Sequence, residues 1–191
     1  MLEALLVSTL VVAIGELGDK TQLLTLVLAA RYGKPWPIIA GIFVATLLNH
    51  AIAGAIGYWV RDVVPAEILR WGLAMSFFAV AAWALKPDRF EDSDAPPASA
   101  RSVFAVTVVA FFLAEIGDKT QIATVVLAAR FTSLVAVVAG TTLGMLLVDA
   151  PTAFFGNAVA KRIPFRAVRV VAAALFATLG VWVLVAPRFA A

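Results

Sequence analysis

Two short segments carry the residues able to do chemistry: Glu16-Leu-Gly-Asp-Lys-Thr-Gln22 and Glu115-Ile-Gly-Asp-Lys-Thr-Gln121. Each places an Asp three residues after a Glu, inside an apolar run. On a continuous helix, positions i and i+3 share a face, so each segment projects two carboxylates together, and Gln22 or Gln121 extends the stripe. Two such faces opposed would present four carboxylates. Hard cations such as calcium, manganese and magnesium bind through carboxylate, carbonyl and water oxygens. Glu16, Asp19, Glu115 and Asp118 are therefore the candidate metal ligands, supported by Lys20, Thr21, Gln22, Lys119, Thr120 and Gln121. Calcium or manganese suits such a set better than magnesium, which gives up its waters reluctantly.

The depth of these groups argues for a purpose. An Asp or Lys at the centre of a membrane helix costs about 2.5 to 3.5 kcal/mol. Lys20 follows Glu16 by four residues and Lys119 follows Glu115 by four, the favourable order for an ion pair within one helix. If each lysine only neutralised its own glutamate, the segments could be structural, but Asp19 and Asp118 would then have no explanation. All ionised, the four acids and two lysines sum to −2, which matches one divalent ion. Metal and protons would compete for the same oxygens, and with alternating access this competition yields exchange. Gly18 and Gly117 lie between the paired acids. They allow either close helix approach or an opened helix whose carbonyls turn toward an ion.

His50 and Asp149 correspond to each other at an offset of 99 residues, and both lie deep in apolar runs. They are the proton-handling candidates, because histidine titrates near neutral pH and Pro151 frees backbone carbonyls close to Asp149. A polar bond to a neighbouring helix would explain either residue equally well.

The elements that must hold these groups follow from composition. Of 191 residues, 63% are hydrophobic and 14% charged, against roughly 25% charged in a soluble domain. The expected fold class is all-α: a polytopic membrane protein. The basic balance, +3 overall, sits mainly in short connections between apolar runs, so it reads as membrane orientation and not as nucleic-acid binding. With no cysteine and a single histidine, thiolate chemistry and polyhistidine zinc sites are excluded. No catalytic residue and no cofactor are expected, since a divalent cation, Mn2+ or Ca2+, would be the substrate.

Six apolar spans are expected, at residues 2–30, 38–60, 67–85, 103–129, 134–159 and 168–186, with Pro65, Pro87, Pro164 and Pro187 at their ends. Glu3 stands where a signal peptide would carry a base, so the first run reads as an uncleaved helix. Shifting the chain by 99 residues aligns 16–31 with 115–130 at 12 of 16 positions, which is an internal repeat. Residues 1–85 then form a first three-helix repeat, 86–102 a polar cytoplasmic linker, and 103–191 a second repeat. Lys and Arg outside the spans or in their first turn number nine on the side of the first, third and fifth connections and four on the other. The positive-inside rule puts both termini outside the cytoplasm. Three helices is an odd number, so the second repeat enters inverted, an architecture common among secondary transporters. Gly140 to Gly144, echoed by Gly41 to Ala45, predicts close contact of spans two and five. The five tryptophans fall mostly near span ends, as interfacial anchors do.

The pattern E-[LI]-G-D-K-T, present twice in a chain of six apolar spans, resembles the transmembrane protein 165 family of Golgi, chloroplast and bacterial cation/proton exchangers (the Gdt-one-like proteins). The resemblance implies an antiporter moving manganese or calcium against protons, with Glu16, Asp19, Glu115 and Asp118 as cation-binding acids and Lys20, Thr21, Lys119 and Thr120 completing each motif. A relative this small is similar to a manganese exporter in the inner membrane of a bacterium. Its partners would be the metal ion, protons and the lipid bilayer, with no nucleic acid and with homo-oligomerisation through glycine faces conceivable. Two other readings are open from sequence: a metal-dependent hydrolase of lipid phosphates within the membrane, and a cation channel or cationic amino-acid exporter.

Overall fold

A computed structural model describes residues 1–85, 99–160 and 165–185. Eight α-helices and no strand occur among them: α1 (Leu2–Glu16), α2 (Lys20–Tyr32), α3 (Pro35–Val63), α4 (Ala66–Ala84), α5 (Ala100–Glu115), α6 (Lys119–Arg130), α7 (Leu134–Ala160) and α8 (Phe165–Val185). The all-helical class is as expected. Spans one and four, however, are each broken into two helices at the acidic segments. Expected spans two, three, five and six correspond to α3, α4, α7 and α8.

Two helices, Pro35–Val63 and the Leu134–Phe155 part of α7, are long and apolar enough to cross a membrane. The pair α5 and α6, bent by 71° at its break, makes a third if it counts as one span. Large apolar side chains cover the outside of the protein, among them Leu10, Ile52, Val109, Leu147 and Phe155. A contiguous apolar surface of this kind is intolerable in water and natural in lipid. Pro65 stands before α4 as its N-cap, where a missing N–H costs nothing. Most of the linker, residues 86–98, lies outside the described residues, as do Pro87, Pro164 and Pro187. Residues 100–102, assigned to the linker from sequence, are the first turn of α5, capped by the Ser99 hydroxyl.

The helices interlock by exchange. α1 and α2 pack on α7, α5 and α6 pack on α3, and α4 packs on α8. Each broken helix thus lies against a long helix from the other half of the chain. Glycines permit the approach: a Cβ on Gly140 or Gly144 would collide with the α1 backbone at Leu5 or Thr9, at 2.5 and 2.6 Å, and one on Gly41 would strike Thr107 of α5. The GxxxG pattern therefore seats α1 on α7. It does not join spans two and five as expected from sequence, although α3 and α7 also touch through Gly54 against Leu134 and Val138. Phe77 of α4 stacks on Phe176 of α8 with centroids 6.3 Å apart. Trp36, Trp59 and Trp71 are exposed, as anchors require, whereas Trp182 lies half-buried under the Arg130 guanidinium.

Candidate metal centre

Each acidic segment forms a tight turn. Leu17 (φ −60°, ψ 117°) is followed by Gly18 at φ 76°, and Ile116 (φ −61°, ψ 120°) by Gly117 at φ 72°. These are the central angles of a type II turn, whose second position needs the positive φ that glycine alone takes without strain. The turn closes through Asp19 N–H donating to the Glu16 carbonyl and Asp118 N–H donating to the Glu115 carbonyl, both 3.0 Å. Of the two readings left open for these glycines, the helix opens. Asp19 and Asp118 then become the N-cap residues of α2 and α6 in extended conformation.

The break overturns the helical-face argument. Gln22 and Gln121 do not continue a ligand stripe: Gln22 Oε1 accepts from Gly18 N–H at 2.8 Å, and Gln121 Oε1 from Gly117 N–H at 2.7 Å. In a continuous helix those N–H groups would serve the carbonyls of Ile14 and Leu113. Each Gln thus satisfies a donor that the turn leaves without its helical acceptor, a buried one at Gly18 and an exposed one at Gly117. The amide nitrogens reach outward, Gln22 to Thr152 (3.2 Å) and Gln121 to Asn49 (3.4 Å).

The lysines are also exchanged. Lys20 Nζ lies 3.1 Å from Asp118 Oδ1, and Lys119 Nζ bonds Asp19 Oδ1. The expected pairs Lys20 with Glu16 and Lys119 with Glu115 presumed one unbroken helix. Instead each ammonium crosses to the other repeat. The N-cap carboxylates make no capping bond to their own helices and face the centre.

Glu16, Asp19 and Asp118 offer oxygens within 4.8 Å of one another, all fully buried or nearly so. The Thr21 hydroxyl donates to Glu16 Oε2 and lies 3.4 Å from Asp19 Oδ2, while the Thr120 hydroxyl is 3.3 Å from Asp118 Oδ2. Glu115 stands outside that three-carboxylate set. Its oxygens find no hydrogen-bond donor among the described residues, and His50 Nε2 lies 3.6 Å from Oε2, with both side chains wholly buried. His50 and Asp149 are not brought together. Asp149 accepts from the Thr25 hydroxyl at 2.6 Å, and that hydroxyl is also 3.0 Å from the Thr21 carbonyl. His50 thus belongs to the second motif and Asp149 to the helix that follows the first.

Sequence reasoning missed Thr25, Asn49 and Thr152. A signal existed for the first, because Thr25 and Thr124 are among the identities of the repeat. Asn49 and Thr152 have no such counterpart, since Val148 and Ala53 occupy the equivalent positions.

Buried acids from two broken helices, met by lysines across the interface, make a site suited to a hard cation in a helical membrane protein. The chain belongs to the family described as "Divalent cation/proton antiporter GDT1", which matches residues 4–92 and 103–190. It is 47% identical over 177 residues to a Vibrio cholerae protein named "Putative manganese exporter", covering 92% of this chain and 88% of that one. It is 29% identical over 198 residues to a "GDT1-like protein" of Synechocystis, covering 92% and 94%. No solved structure matches. The hydrolase reading falls with this membership, and the metal is substrate and not cofactor.

Proposed function

We propose that this protein exports manganese from the bacterial cytoplasm in exchange for protons, with calcium as the next candidate. The observation that carries the reading is the meeting of Glu16 and Asp19 with Asp118, drawn from two helices broken at equivalent places. A three-carboxylate oxygen site suits a hard or borderline divalent ion. The name carried by the Vibrio relative, at 47% identity, favours manganese. Glu16, Asp19 and Asp118 bind the ion directly, and Glu115 completes the set of four acids. Lys20 and Lys119 set the charge, Thr21 and Thr120 hold the aspartates, and Gln22 and Gln121 stabilise the turns. His50 and Asp149 take up or release protons beside the two motifs.

In this reading, residues 1–85 and 103–191 are two repeats of three spans each, the first span of each broken in two, with opposite orientation in the inner membrane. The linker that ends at α5 is cytoplasmic and both termini lie outside. Exchange of helices between the repeats supports it, because rocking one half must then deform the site shared with the other. Purified protein in proteoliposomes should take up Mn2+ with opposite proton movement, followed by a pH-sensitive dye. Metal flux that is indifferent to a pH gradient would mark a channel instead.

A further inference from the structure

The two lysines are equivalent in sequence and unequal in place. Lys119 is 6% exposed on an aspartate that is fully buried, whereas Lys20 is 25% exposed on Asp118. Beside Asp118, the Ile116–Gly117 turn is also exposed, while its counterpart Gly18 is buried. Unwound backbone at membrane depth cannot face lipid and must line water or protein. Read as lining water, the exposed turn and Lys20 flank one aqueous mouth beside Asp118.

Both aspartates are occupied on both oxygens. Each Oδ1 holds the opposite repeat's ammonium, and each Oδ2 lies near its own threonine hydroxyl. An incoming cation competes with both partners for these oxygens. A hydroxyl can rotate and offer its lone pair to the ion, but an ammonium can only leave. Exposure identifies which one: Lys20 is partly exposed where it meets Asp118, so its ammonium has somewhere to go, whereas Lys119 is enclosed with Asp19.

We propose that Lys20 is a built-in competitor of the transported cation, an ammonium that holds Asp118 Oδ1 and swings into the aqueous mouth when the metal enters, while Lys119 stays. This rests on the transport reading and adds that the two motifs divide the work. Lys20 yields the ligand, and Lys119 fixes the charge.

Mn2+ binding to the purified full chain by titration calorimetry tests it. Lys20→Met should tighten binding by about tenfold, through loss of a competing charge, and slow exchange in vesicles because the metal is no longer expelled. Lys119→Met should weaken binding. In the wild type, reductive methylation read by mass spectrometry should rise at Lys20 when Mn2+ is added and stay constant at Lys119. Binding to Lys20→Met that is unchanged or weaker overturns the inference, as does methylation of Lys20 that falls or stays level with Mn2+. If Lys20→Met does not fold, the wild-type labelling decides alone. A wild type that moves no metal at all overturns the transport reading instead, so the two failures are distinguishable.

Discussion

The two acidic motifs differ at only one of seven positions, Leu17 against Ile116, yet they stand in unlike surroundings. In the first, the turn glycine is buried, Glu16 accepts a hydrogen bond from the Thr21 hydroxyl, and Gln22 reaches Thr152. In the second, the turn is exposed, Glu115 faces His50 without a hydrogen bond, and Gln121 reaches Asn49. The backbone is the same in both, within a few degrees at the glycines. The motif therefore determines its own turn, while its neighbours determine how each copy is used. Those neighbours come from the other half of the chain: α7 supplies Thr152 to the first motif and Asp149 to Thr25 just beyond it, and α3 supplies Asn49 and His50 to the second.

The largest effects should come from the aspartates. Asp19→Asn and Asp118→Asn should each reduce manganese/proton exchange by about 100-fold or more, as expected when the transition is deprived of a charged ligand worth several kcal/mol. The comparison predicts unequal damage to stability. Asp19→Asn strands the buried Lys119 ammonium, an effect of about 3 to 5 kcal/mol for a broken buried pair, whereas Asp118→Asn leaves Lys20 able to reach water. Equal shifts in thermal unfolding would break the distinction between the two lysines.

The glutamines offer a sharper probe. Gln22→Leu leaves a buried Gly18 N–H unmet and should cost about 1 to 3 kcal/mol. Gln121→Leu should cost less, because water can replace the side chain at the exposed Gly117. A loss at Gln121 as large as at Gln22 would mean that the second turn faces lipid or protein and not an aqueous mouth.

Gly117→Ala isolates the backbone term. A Cβ there would meet nothing within 4 Å, so the penalty is the left-handed conformation alone, about 1 to 2 kcal/mol. It should appear in denaturation with little change in metal specificity.

The smallest effects should fall on the residues beside the motifs. His50→Gln and Asp149→Asn should leave Mn2+ affinity within a few-fold, roughly the effect of removing a neighbouring hydrogen-bonding group, and lower the protons moved per metal. In the wild type, Mn2+ binding should weaken as pH falls, because a protonated carboxylate no longer offers the charge the ion needs. That slope should flatten in whichever of the two variants removes a coupled proton.

Composition alone identified a helical membrane protein, because 63% apolar residues leave no water-facing surface to build. The offset of 99 residues located both acidic motifs and even marked Thr25, whose role went unread. The partnerships were not legible. Spacing of three and four suggested that Glu16, Asp19, Lys20 and Gln22 line one face, and that rule holds only while the helix continues. Glycine in a membrane helix serves close packing as readily as a turn, so its identity does not reveal the positive φ that breaks α1 from α2.

What the sequence by itself determined is the inventory: oxygen ligands, two lysines, no sulfur, and a duplicated motif whose charges sum to that of one divalent ion. Only the tertiary structure decided who meets whom. It sent each lysine to the other repeat's aspartate, turned each glutamine back on its own glycine, and placed Glu115 with His50 outside the three-carboxylate set. The physical reason is that a buried charge is tolerated only beside its partner. Once the helix breaks, the partner within reach is the one across the interface, not the one four residues along.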